Sequence, residues 1–276
     1  MISEKEIREP VVAGSFYPAD KKELESQVIQ YIENSKYFGL KDIKAIICPH
    51  AGYMYSGQVS GFSYRQVMDK DYDVIVIIAP SHSEYFEHVS IYPGKYFSTP
   101  LGLVEIDKGV CASLAEKDHS ITFSEYGHGN EHSLEVQLPF VQIALKGIKI
   151  VPLVIGKQSR MLLERLGHTL GEVLNNKNPL IIASTDLSHY HPYELAESLD
   201  KKVYRLIDDY DLEGLMHDFT SEEIEMCGGG PVIASLLASR IMGAGKAKVL
   251  KYLNSGDITG DKSAVVGYLS AATYKG

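Results

Sequence analysis

The chain has 276 residues, is 45% hydrophobic and 23% charged, and carries a formal net charge of −9. This is globular composition with enough length to bury a sizeable core. The acidic balance, with no dense Lys/Arg cluster, argues against nucleic acid or an anionic membrane as partner. The opening "MISEKEIREP" is charged rather than apolar, and no stretch approaches the roughly 20 apolar residues of a membrane span. Three scattered cysteines with no CxxC pair suit a reducing compartment, so a cytoplasmic protein is expected.

In chain order, the segment 21–35 places Leu24, Val28, Tyr31 and Ile32 on one helical face. The apolar runs "AIIC" 45–48 and "VIVIIA" 74–79 read as strands buried on both faces. Helical patterns follow at 109–117 and 133–146, then a strand in 148–156, a helix at 160–174 and the strand "LIIAS" 180–184. A helix at 192–207 and strands at 247–253 and 264–272 complete the pattern. Strands alternating with helices imply an α/β fold: a mostly parallel or mixed β-sheet with helices on both faces. No composition break divides it, so one domain spanning 1–276 is expected.

The strand ends carry the chemistry. Pro49-His50 follows the strand at 45–48, Pro80-Ser81-His82 follows the one at 74–79, and "STDLSH" 184–189 follows the one at 180–183. Ligands of open α/β sheets bind beyond the carboxyl ends of the strands. If these three strands are parallel, His50, His82, Asp186 and His189 meet at one rim. Two imidazoles and one anion, with positions left over, make a minimal catalytic Fe(II) or Zn(II) site. The expected anion is Cys227 in "MCGGGP", where a thiol just before a helix start meets the positive end of the helix dipole and is favoured as thiolate. His189 has the proton affinity for acid/base work, and Asp186 the charge to orient it.

The segment "YGHGNEHSLEVQLPF" 126–140 spells an inverted HxxEH pattern with His128, Glu131 and His132. That motif needs a regular helix, which Gly127, Gly129 and Asn130 disfavour. A helix starting near Ser133 instead leaves Glu131 and His132 in a loop aimed at the same cleft as further catalytic groups. Tyr17, Tyr53 and Tyr55 flank that cleft, where a phenol supplies an apolar wall with one hydrogen bond, although core packing explains them equally well. Cys48 and Cys111 read as packed thiols, and His88, His119, His168, His191 and His217 as surface groups. Each residue also has a plainer structural use: strand-end histidines often face solvent, Ser184, Thr185 and Asp186 can cap a turn, and Cys227 can be a small buried residue.

With these residues in view, the sequence resembles the Memo (mediator of cell motility) family, whose archaeal and bacterial members are also called AmmeMemoRadiSam system protein B. The matching stretches are "REPVVAGSFYP" 8–18, "CPHAGYMYSG" 48–57, "APSHSEYF" 79–86, "NEHSLEVQLPF" 130–140, "VPLVIG" 151–156, "STDLSHY" 184–190 and "MCGGGP" 226–231. The resemblance implies a fold like that of class III extradiol dioxygenases, with His50 and His82 at the positions of two iron ligands. Cys227 stands where those enzymes carry an acidic ligand, and His189 matches their acid/base residue, with Asp186 beside it. A thiolate in place of a carboxylate makes a softer site, suited to iron, copper or zinc. Three functions follow as expectations. The first is an iron- or copper-dependent redox enzyme acting on a small substrate or O2. The second is a zinc hydrolase with Glu131 or His189 as base. The third is a peptide-binding module built on an old catalytic cleft. The family name also implies a radical-SAM partner protein.

Overall fold

The computed structural model describes residues 6–276. Residues 1–5, whose charge entered the cytoplasmic expectation, lie outside it. The first half of the chain forms β1 (Ile7–Arg8), α1 (Lys21–Glu33), β2 (Ile43–Cys48), α2 (Tyr53–Val67), β3 (Val74–Pro80), β4 (Val89–Ile91), β5 (Tyr96–Thr99), β6 (Gly102–Glu105), α3 (Lys108–Lys117) and β7 (Ile121–Phe123). A 3-10 turn at Glu135–Gln137 leads into α4 (Leu138–Ala144), β8 (Ile150–Ile155), α5 (Arg160–Leu174), β9 (Pro179–Ser184) and β10 (His189–His191). Then come α6 (Tyr193–Asp208), α7 (Leu212–Thr220), α8 (Gly229–Ile241), β11 (Lys246–Asn254), α9 (Ser255–Thr259) and β12 (Val265–Tyr274).

Strands β2, β9, β3 and β8 lie side by side and are all parallel. Their Val/Ile-rich sequences are buried almost throughout, because helices cover both faces of the sheet. Antiparallel β12 and β4 continue the sheet on either side, making it mixed. A small second sheet joins β1 to β5 in parallel and β5 to β6 in antiparallel. Helices α1, α2 and α4 pack together in one layer, and α3, α5, α7 and α8 in another. The expected single-domain α/β architecture is therefore the observed one. Among the described residues no helix is long and apolar enough to cross a membrane.

Register decides what the strands present. Cys48 at the end of β2 pairs with Ser184 at the end of β9, and Ile78 near the end of β3 pairs with Ala183. With β9 between β2 and β3, the segments that follow them leave from one edge: Pro49-His50, Thr185 to His189 and Ser81-His82.

The sequence pattern missed helix α2, and its glycines explain why. Gly57 and Gly61 lower helix propensity, yet they let α1 approach. A Cβ on Gly57 would lie 2.4 Å from the Tyr31 ring, and one on Gly61 would lie 2.3 Å from the Tyr31 carbonyl oxygen. Close packing thus overrides local preference. Of the three tyrosines expected near the cleft, Tyr17 and Tyr53 belong to this core, the packing alternative, and Tyr55 is half-buried. Tyr53 is buried and donates from its hydroxyl to Val136 O at 2.7 Å, and Tyr17 donates to Glu135 at 2.6 Å. Cys48 and Cys111 are fully buried in the core, as packed thiols.

His128 belongs to the core as well, packed beside Tyr92 and Phe97 with Nε2 3.3 Å from the Ser90 carbonyl. Burial drives its pKa down to about 3, against the opposing hydrogen bond to Ser90. A histidine with a depressed native pKa contributes its full stability above the unfolded value of about 6.5 and loses it as pH falls from there toward 3. The unfolded chain takes up the proton first. His128→Gln should therefore lose less stability than the parent between pH 6.5 and 5, by about 1.4 kcal/mol per pH unit, measured by denaturant unfolding at each pH. Equal slopes for both proteins would refute this assignment.

Candidate metal centre

Three imidazoles converge at the carboxyl edge of the parallel strands. Their ligand nitrogens (His50, His82 and His132) all lie within 4.8 Å of one another. The His82 and His132 rings stack, with centroids 5.0 Å apart and planes 22° apart, and His50 meets both edge-on. Cys227, just ahead of α8, brings its Sγ to 3.2 Å from His50 Nε2.

The hydrogen bonds around the rings decide which nitrogen faces the cluster. Ser184 Oγ donates to Ser133 O at 2.7 Å and accepts from Gln137 Nε2 at 2.9 Å. Its single proton is thus committed, so His50 Nδ1, 3.0 Å away, must be the donor between them. That leaves His50 Nε2 bare and pointed at Cys227. His82 Nδ1 donates in the same way to Glu131 Oε1 at 3.0 Å, freeing its own Nε2. His132 Nδ1 lies 3.4 Å from the same oxygen.

Glu131 is buried and ringed by donors. Oε1 accepts the backbone N–H groups of His132 and Ser133, both at 2.9 Å, in addition to the His82 ring, and Oε2 accepts the His82 backbone N–H. Burial favours its neutral form, but the hydrogen bonds from His82 outweigh this and hold the carboxyl well below the usual range. Burial likewise opposes charge on His82, where Glu131 wins and raises the pKa. His50 goes the other way: burial, then His82 and His132 beside it, keep it neutral.

Asp186 accepts the His50 backbone N–H at 2.8 Å and lies 3.9 Å from His50 Nε2. Burial lifts its pKa to about 7, against the N–H groups of His50 and Ala51. Cys227 precedes the start of α8 at Gly229, where the helix dipole favours a thiolate, but burial acts against it. Burial, followed by the Asp186 charge, pushes its thiol up to about 12, although the Asp186 N–H points at Sγ from 3.2 Å. Desolvation of a thiolate here exceeds what the helix start and the nearby donors return.

His189 is half-buried and stands within electrostatic reach of His50 and His82. A register shift between His189 and His191, with Tyr190 at φ 62°, turns the chain there. His189 and Cys227 face a cleft of about 760 Å³, with Gln158, Arg160, Leu187 and Phe219 among its walls. His128 lies outside the cluster, and with no helix between 128 and 132 the HxxEH pattern has no structural counterpart. His119, His168 and His217 are exposed; His88 and His191 are half-buried, the latter paired with Glu225 at 2.9 Å.

The donor set suits a transition metal. Imidazole nitrogens and a cysteine sulfur are borderline-to-soft ligands; the mutually close group is the three imidazoles, which Cys227 meets at His50, and the rings of His50 and His82 have their second nitrogen hydrogen-bonded, as ligating histidines do.

Sequence reasoning overlooked the buried support of the 128–135 loop. Arg8 and Glu135 form a buried ion pair, and Arg8 also donates to the carbonyls of His128 and Glu131. Glu135 further accepts from the N–H groups of Val11 and Val12 and from Tyr17. The available signal was a charged residue lodged in the otherwise apolar "SLEVQLPF". Arg8→Met would strand the Glu135 charge and should cost about 3–5 kcal/mol in chemical denaturation, with Arg8→Met/Glu135→Gln recovering part of the loss. A single variant as stable as the parent would show that the pair is dispensable.

Known proteins share this architecture. The family model described as Memo-like protein matches residues 8–272. The chain is 38% identical over 285 residues to a MEMO1 family protein of Methanocaldococcus jannaschii, covering 96% of this chain and 98% of that one. Against the MEMO1 family protein of Methanothermobacter thermautotrophicus it is 37% identical over 272 residues, with 95% and 98% covered. A crystal structure of an uncharacterized protein from Escherichia coli K12 shares the fold, with TM-score 0.53, 16% identity, and 83% of this chain and 99% of that one covered. With a family model reaching from Arg8 to Ala272 and relatives alike from end to end, the chain belongs to the Memo family.

Proposed function

We propose that this Memo-family protein is a cytoplasmic non-haem metalloprotein that carries out redox or O2-related chemistry on a small substrate. His50, His82 and Cys227 hold the ion, iron or copper in preference to zinc. The observation that carries this reading is the approach of Cys227 Sγ to the bare Nε2 of His50, beside the His82 imidazole that Glu131 orients. Bound there, such an ion supplies one-electron redox chemistry and open coordination positions.

The chain's own residues do the rest. Ser184 and Glu131 fix the tautomers of His50 and His82. Asp186 anchors the His50 backbone. His189, at the cleft wall, is placed to hold or pass a proton to whatever the cleft admits. The cleft of about 760 Å³ is the size of a small-molecule site. In a hydrolytic role the base would be His189 and not Glu131, which is buried with Oε1 already accepting from three donors. A radical-SAM protein is the proposed partner on the strength of the family resemblance.

Protein prepared without oxygen should bind a single Fe(II) or copper ion per chain, by elemental analysis. His50→Ala and Cys227→Ser should each lose it. Failure of the parent to bind either metal sinks the proposal, and an air-stable zinc-loaded preparation would move the reading to a hydrolase.

A further inference from the structure

The sequence pattern made His132 a catalytic group in the cleft, and its surroundings bear on what it does there. Its backbone N–H and that of His82 are both held by Glu131, on Oε1 and Oε2 respectively. Both Nδ1 atoms turn toward Oε1, at 3.0 Å for His82 and 3.4 Å for His132. The two rings are close to parallel. One buried carboxylate therefore sets two imidazoles in the same sense, so the orientation that frees Nε2 of His82 also frees Nε2 of His132.

Phe16 packs against His132 at 4.8 Å between ring centroids. It comes from the "REPVVAGSFYP" segment, which Arg8 and Tyr17 pin to Glu135. The Phe16 carbonyl also accepts the Tyr53 N–H at 2.7 Å, tying the segment to the start of α2. The His132 ring is thus wedged between Phe16 and His82. The walls of the cleft beside Cys227 include His189 and not His132. His132, like His50 and His82, is set back from those walls, and the ligand nitrogens of these three rings lie within 4.8 Å of one another.

We infer that His132 is a further metal ligand, so that the ion meets three imidazoles and a cysteine; this rests on the metalloprotein reading above. The chemical consequence is selectivity. Four protein ligands fill the tetrahedral preference of zinc and make a closed site. An ion that accepts five or six ligands, such as Fe(II), keeps positions open for substrate. On this inference the shared carboxylate makes the pair of stacked imidazoles one unit, and loss of Glu131 should disturb both together.

Cobalt(II) is a suitable probe, because its absorption reports ligand number and sulfur coordination directly. Anaerobic titration of the parent, His82→Ala, His132→Ala, Cys227→Ser, Glu131→Gln and the exposed His119→Ala should separate the cases. His132→Ala and His82→Ala are each expected to raise the Kd for cobalt at least tenfold and to shift the ligand-field bands. His132→Ala should keep the sulfur-to-metal band that Cys227→Ser removes. Glu131→Gln should weaken binding roughly 10–100-fold, and His119→Ala should match the parent.

If His132→Ala binds cobalt with the parental Kd and spectrum while His82→Ala and Cys227→Ser do not, the inference is overturned and the metal reading stands. A parent that binds no cobalt overturns both. If His132→Ala does not fold, His132→Gly with added imidazole decides the question. Return of the parental bands on adding imidazole supports ligation, and bands indifferent to imidazole refute it.

Discussion

A buried carboxylate is tolerable only when its lone pairs are satisfied, since desolvation of an unpaired charge costs several kcal/mol. Glu131 meets that condition with donors drawn from two separate loops: the backbone and ring of His82, and the backbone N–H groups of His132 and Ser133. The same interaction that makes the charge bearable fixes the end of β3 against the 128–135 loop. The stacking of His82 on His132, and the direction in which their free nitrogens point, both follow from it. Four residues on, Glu135 repeats the solution with Arg8, Tyr17 and the N–H groups of Val11 and Val12. Two buried anions thus hold one short, irregular loop from opposite directions. That is how a segment too rich in glycine for regular structure keeps a defined shape.

Ser184 has the corresponding role for His50. It ends β9, the strand lying between those that lead to His50 and His82. Its hydroxyl joins the His50 ring, the Gln137 amide and the Ser133 carbonyl. The parallel sheet brings the strand ends to one edge, but a sheet alone sets positions only to within a side chain's reach. The polar contacts of Ser184, Glu131 and Asp186 convert that rough convergence into a set of aligned donor atoms.

The electrostatics of the cluster have a definite sense. His50 is kept neutral and the Cys227 thiol is pushed up to about 12, while Asp186 titrates near 7. His82, whose pKa Glu131 raises, is the group in the cluster that can carry positive charge, and it lowers the pKa of both His50 and Asp186. A divalent ion held there would favour the Cys227 thiolate, because a coordinating thiol gives up its proton. The helix start at Gly229 and the Asp186 N–H favour sulfur as an anion, but burial and the Asp186 charge outweigh them.

The strands and their order of burial were legible in the sequence. Runs such as "VIVIIA" and "LIIAS" are apolar at every position, which only a sheet covered on both faces requires. His50, His82, Asp186, His189 and Cys227 could be singled out because each follows such a run or precedes a glycine-marked helix start. Helix α2 could not be read this way, because its glycines serve contact with α1 rather than local preference. Nor could the stacking of His132 on His82 or the raised pKa of Cys227. These depend on groups 49 positions apart, as with His82 and Glu131, or 177 apart, as with His50 and Cys227. Periodicity reports which face of an element is buried. Which polar atoms then meet, and which protons they keep, is settled only when the folded chain removes water from around them.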